Sequence, residues 1–164
     1  MLVWQHFPAA LDSSLHANFR LLPALTFTAS RLSSQVSGRT FVFDENEDDV
    51  AWVRLRFAAD QCEFRMRDAR GEHVVRVGLR DWLESQTTVS GGSLHHQYEP
   101  ESLRVVAGGH WVDERTFEMT WQFVETAFRD TLVCRFEGDT LTLDRSVNIN
   151  SGATKRPTLV GRVR

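Results

Sequence analysis

The sequence predicts a mainly β protein: an antiparallel up-and-down barrel of about eight or nine strands with one short N-terminal helix. Three observations predict it. From residue 51 onward apolar and polar residues alternate with period two in run after run, the pattern of strands buried on one face. Short links rich in Gly, Asp and Ala join several of these runs, and such links make neighbouring strands antiparallel. At 164 residues, 41% hydrophobic and 25% charged, the chain has the size and composition of one globular domain with a real core.

The first element is helical by spacing. Leu11, Leu15, Phe19 and Leu22 recur on one face, with Asp12, Ser13 and Ser14 available as caps and Pro23 as a stop. Residues 29–37 then turn to Ser, Gln and Arg without periodicity, which predicts a surface connection. The expected division is a helical and linker segment, residues 1–37, followed by a barrel domain, residues 38–164.

After Gly38 the strands begin with residues 39–43. Val53, Leu55 and Phe57 share a face against Trp52, Arg54 and Arg56; Cys62, Phe64 and Met66 alternate with Glu63, Arg65 and Arg67; Val75, Val77 and Leu79 follow. Residues 81–102 lapse into Thr, Ser, Gly and His around Gly91 and Gly92, which predicts a long loop with room for a short helix. Gly108 and Gly109 lack the rest of a dinucleotide fingerprint and are expected to form a turn. Alternation resumes with Phe117, Met119, Trp121 and Phe123, then Leu132, Cys134 and Phe136, then Leu141 and Leu143, and residues 159–163 supply a last strand. Each strand has one apolar face, so the sheet must curl on itself or pack on a second sheet; hairpin connectivity favours the barrel.

Charge and motifs narrow the function. The formal charge of −3 provides no basic field for a phosphate backbone, so nucleic acid is not an expected partner. Nothing approaches the roughly 20 apolar residues of a membrane helix. The opening residues carry no basic-then-apolar leader, so the chain as given is expected to be cytoplasmic. Cys62 and Cys134 lie in apolar strand patterns and are expected to be buried free thiols. No Gly-x-Ser-x-Gly elbow and no Ser-x-x-Lys pair is present, so no catalytic residue is assigned and the chain is not expected to be an enzyme. His95, His96 and His110 with Glu99, Glu101 and Asp113 lack metal-ligand spacing, and no metal or cofactor is expected; the histidine stretch should be an exposed polar loop. The acidic run at residues 44–49 lacks the central Gly and terminal Glu of a calcium loop and should be a solvated hairpin tip. Candidate cavity residues are Trp82, Trp111, Trp121 and Phe123, with Glu125 and Arg135 as polar groups among them, set against the simpler expectation that the aromatic side chains fill the barrel.

Several stretches carry a family resemblance: GHWVDERTF at residues 109–117, FVET at 123–126, CRFEGDTLTL at 134–143 and PTLVGR at 157–162, together with VWQHFPA at 3–9 and VSGRTFVF at 36–43. The chain resembles the C-terminal β-barrel domain appended to serine hydrolases of the class C β-lactamase type. The resemblance implies a lipocalin-like barrel without catalytic residues, which packs on or modulates a β-lactamase-like catalytic domain in cis or in trans. A second copy of the chain is the other partner in view. The alternative is a free-standing lipocalin-like barrel that binds a small molecule.

Overall fold

The computed structural model describes residues 22–164. They form one short helix, α1 (Leu32–Val36), and ten strands: β1 (Thr40–Phe43), β2 (Trp52–Phe57), β3 (Gln61–Asp68), β4 (Gly71–Gly78), β5 (Leu83–Thr87), β6 (Leu103–Trp111), β7 (Thr116–Phe123), β8 (Arg129–Glu137), β9 (Thr140–Val147) and β10 (Leu159–Val163). A 3-10 turn, Gly92–His95, lies between β5 and β6.

The strands follow one another in the sheet as two meanders, β1 to β4 and β6 to β10, joined by antiparallel pairing of β1 with β10. The sheet closes where Gly78 of β4 bridges Gly108 of β6, giving a ring of nine strands, while β5 runs antiparallel along β6. This closing contact is parallel, and parity requires it. In a ring whose neighbours alternate in direction, an even number of strands closes antiparallel and an odd number leaves two like-directed strands to meet. The all-antiparallel expectation is therefore corrected at this one seam. Both seam residues are glycines crowded by neighbouring chain: a Cβ on Gly78 would lie 1.6 Å from the Asp81 carbonyl oxygen, and one on Gly108 would lie 2.8 Å from Leu25 Cδ2.

Period-two burial runs through the strands, as in β7, where Phe117, Met119, Trp121 and Phe123 are all buried. Phe41, Phe64, Cys62, Cys134, Leu132 and Leu141 join them in a continuous core. The barrel is filled by side chains, and burying each large one contributes about 1.5–3 kcal/mol. At one end Phe57 packs on Trp111 and Phe117 with ring centroids 5.3 and 5.0 Å apart.

Three expectations are corrected. Gly108 and Gly109 lie inside β6 rather than in a turn; Gly109 leaves room for the Phe117 ring, and a Cβ there would come within 2.8 Å of it. The 81–102 loop contains β5, whose Leu-Glu-Ser-Gln-Thr sequence lacks an apolar face because most of the strand remains in contact with solvent. The 29–37 connection contains α1, too short to show a period and anchored by buried Val36. The helix expected at residues 12–22 lies outside the described residues except for its last position. Residues 22–37 are fastened to the barrel: the Thr28 hydroxyl bonds both the carbonyl and the amide of Trp111, at 2.9 and 2.8 Å, and Ser30 Oγ donates to the Glu114 carbonyl at 2.8 Å.

Candidate functional site

The two barrel ends differ in chemistry. At the end bearing the β1–β2, β3–β4, β5–β6 and β9–β10 connections, charged groups replace the aromatic plug. Asp130 opens the inward series Asp130, Leu132, Cys134, Phe136 of β8, and Arg145 stands in the inward series Leu141, Leu143, Arg145, Val147 of β9. Register pairs Leu132 with Arg145 across the two strands. Arg145 donates Nε and Nη2 to Asp130 Oδ2 at 2.8 and 2.6 Å. His95, at the end of the 3-10 turn, places Nε2 2.6 Å from Asp130 Oδ1. His95 and Asp130 are fully buried.

The imidazole is held on both faces and at its edge. It stacks on Phe128 at 4.2 Å and 5°, meets Phe123 edge-on at 4.8 Å, and fills the space where a Cβ of Gly91 would be. Arg145 in turn lies 5.7 Å from the centroid of the Trp121 ring. Burial would push the Asp130 carboxyl up, but the Arg145 charge and the hydrogen bonds from His95 and Arg145 together outweigh it and hold the carboxyl below its ordinary value. Two buried atoms in this region, His95 Nδ1 and Trp121 Nε1, have no hydrogen-bond partner among the described residues.

A second imidazole secures the same loop. His73 of β4 is buried, with Nε2 2.8 Å from Asp68 Oδ1 and Nδ1 2.7 Å from Thr88 Oγ1. This hydroxyl–imidazole–carboxylate chain has the connectivity of an activated nucleophile. Thr88, however, is exposed and outside the pocket described next, so the chain fastens the start of the loop to the β3–β4 turn.

Between the loops is a pocket of about 420 Å3. Met66, Leu132, Leu143 and Leu159 form its apolar wall, Gly91, Gly92 and Ser93 one side, and Arg70, Arg145 and Arg156 its cations. Arg156 is engaged by Asp48 at 2.7 Å and Glu47 at 3.2 Å. The acidic run is thus the expected hairpin tip, braced by Asn46, whose Oδ1 accepts the Val50 amide at 3.1 Å, and tied across the mouth to the β9–β10 connection.

No family model and no curated protein matches the chain in sequence. The chemistry of the site rests on its own residues. Among the described residues no group of three or more His, Cys, Asp or Glu is arranged to hold a metal ion, and no helix is long and apolar enough to cross a membrane.

The six residues proposed for a cavity are dispersed. Trp111 belongs to the aromatic end, and Trp121 is fully buried against Phe64. Phe123 touches His95 behind the pocket. Trp82 is on the outside, donating Nε1 to the Pro23 carbonyl at 2.8 Å. Glu125 is exposed because β7 ends at Phe123 and the alternation ends with it. Arg135 follows inward Cys134, faces out and pairs with Asp144 at 2.5 Å. Neither charged residue enters the interior. The histidine loop is likewise corrected: His96 is exposed, but His95 is among the most buried residues of the chain. Asp130, Arg145, His95 and His73 were absent from the sequence-based site. The signal that could have found two of them is a charged residue in the inward phase of an apolar strand.

Proposed function

We propose that the chain is a non-catalytic accessory barrel that packs on or modulates a β-lactamase-like serine hydrolase, in cis or in trans. The observation that carries this reading is where the resembling stretches fall. Residues 36–43, 109–117, 123–126, 134–143 and 157–162 belong to β1, β10, β9, β8, β7 and β6 or their connections, six strands adjacent in the sheet. They lie along one continuous wall, which supports the reading. The filled interior fits an accessory role better than carriage of a large lipid, since Trp121, Phe64, Phe117 and Met119 occupy the space such a ligand would need.

The test is co-purification with a Ser-x-x-Lys hydrolase domain encoded beside this chain. We expect comigration on a sizing column and a changed kcat/KM when the barrel is added or deleted. Separate migration with unchanged kinetics would overturn the reading.

The mouth pocket favours a second reading, small-molecule binding. Its volume lies within the range of ligand sites, with an apolar wall and a few fixed polar groups.

A further inference from the structure

We infer that the mouth pocket binds an amphiphilic monocarboxylate, with Arg145 holding the head group and Met66, Leu132, Leu143 and Leu159 receiving the apolar tail. The inference rests on the second reading above and is independent of a hydrolase partner.

Arg145 carries the argument. A guanidinium offers five N–H donors in a planar fork. Asp130 takes Nε and Nη2, while Nη1 has no hydrogen-bond partner among the described residues. The side chain is 16% exposed and lines the pocket. Its orientation is fixed by a carboxylate that is itself fully buried and gripped by His95. An incoming anion would therefore meet a donor already in position, and little side-chain entropy would be lost on binding. An arginine serving only to neutralise Asp130 could do so with its remaining donors turned to the barrel wall or paired within the chain. Here it is left on the surface of a cavity.

The surrounding charges select the ligand class. Glu47, Asp48, Asp49, Asp68 and Glu99 line the same pocket against three arginines, of which Arg156 is already paired. Glu47 and Asp48, 72% and 30% exposed, lie toward the rim, and the more buried Asp68 is turned onto His73, while Arg145, 16% exposed, keeps an open edge toward the cavity. A phosphate or other polyanion would be repelled at the rim, whereas one carboxylate satisfies one unengaged guanidinium edge. Met66, Leu132 and Leu143 are buried core residues that give the pocket an apolar floor. Leu159 remains half-buried, leaving apolar area that a tail would cover.

The test is a titration of the whole chain, followed by calorimetry and amide NMR, with octanoate, octylamine, octanol and inorganic phosphate. Octanoate should saturate with a Kd on the order of 1 mM or tighter, within reach of a ligand of this size, and shift the amide resonances of Gly91, Leu132 and Leu143. Octanol and octylamine should bind at least about tenfold more weakly, the loss expected when a charge-assisted hydrogen bond is removed; phosphate should not bind. Arg145→Gln should bring octanoate down to the octanol level. Because that variant also strips Asp130 of its partner, Leu159→Trp provides a second arm: it leaves the Arg145–Asp130 pair intact, fills the pocket and should abolish octanoate binding while the Tm stays near that of the parent. Octylamine or octanol binding as tightly as octanoate, octanoate binding that survives Leu159→Trp, or failure of octanoate to saturate would each overturn the inference. Association with a hydrolase is read out separately, so either proposal can fail alone.

Discussion

The two ends of the barrel solve the same problem with opposite chemistry. At the α1 end, Phe57, Trp111, Phe117 and Phe136 close the interior with rings in mutual contact, Trp111 lying 5.2 Å from Phe117 and 5.9 Å from Phe136. At the other end a loop is drawn over the opening and secured by imidazole–carboxylate contacts, His95 to Asp130 and His73 to Asp68. An aromatic plug needs only area and shape, and it is insensitive to pH. A polar closure holds only while its charges are in the right state, because each buried charge depends on its partner for compensation. The first end is a stopper and the second a latch.

Breaking the stopper should have the largest effect. Phe117→Ala removes a fully buried ring touching both Phe57 and Trp111. Chemical denaturation should show a loss of about 3–5 kcal/mol, the usual range for Phe to Ala in a core, and the loss should be the same at pH 7 and pH 4. A loss under 1 kcal/mol would mean that the plug contributes little.

Breaking the latch should be nearly as severe but pH-dependent. Asp130→Asn leaves Arg145 with a neutral partner and should lower stability at pH 7 by about 3 kcal/mol, the low end of what removing one member of a buried pair costs. The folded-state pKa of Asp130 is depressed, so its contribution is fully present above the unfolded carboxyl value of about 3.9 and disappears as pH falls through the lower folded value. Denaturation curves of parent and variant should therefore converge under strongly acidic conditions. A gap that stays constant down to that range would assign the effect to packing.

The thiols sharpen the comparison by probing the barrel between its ends. Desolvation pushes the Cys134 thiol up to about 12, with Arg135 opposing and Asp144 adding to the rise, and burial is also the main cause of the rise at Cys62. A disulfide reagent at pH 8 should label neither in the native protein and both after denaturation, because the thiolate is the reactive form. Rapid native labelling would show that one end opens readily.

The smallest effect should come from the outer surface. Arg39→Ala removes an exposed pairing with Asp139, and thermal melting should register less than about 1 kcal/mol. A larger loss would mean that the β8–β9 turn is anchored through this pair.

Legibility in the sequence divides along the same line as the two ends. Alternation reveals the filled interior, Phe117 of the stopper included: spacing alone puts Phe117, Met119, Trp121 and Phe123 on one inward face, and all four are buried. Burial of Cys62 and Cys134 was legible for the same reason. The latch was not, because hydrogen bonds join residues 35 and 15 positions apart, His95 to Asp130 and Arg145 to Asp130, and period-two patterning carries no information about which loop reaches which strand. Asp130 and Arg145 look like ordinary surface charges until the strand phase is extended to the ends of β8 and β9. Glu125 shows the converse error, a phase carried two residues beyond the last residue of β7. The seam at Gly78 and Gly108 was hidden because it depends on the parity of the strand count, a property of the whole ring rather than of any segment.

That seam makes the ring behave as a strip whose two long sides are fastened at one rung. On one side β4 is bonded to β3 from Gly71 to Gly78; on the other its ladder partner among the described residues is Gly108 alone. Strands such as β8 and β9 are laced along both sides. Breathing should therefore start lengthwise along β4, and its outer amides should take up deuterium well before those in the middle of β8, where opening requires the barrel to come apart. Water entering the interior would then pass sideways through the wall, leaving both stopper and latch in place.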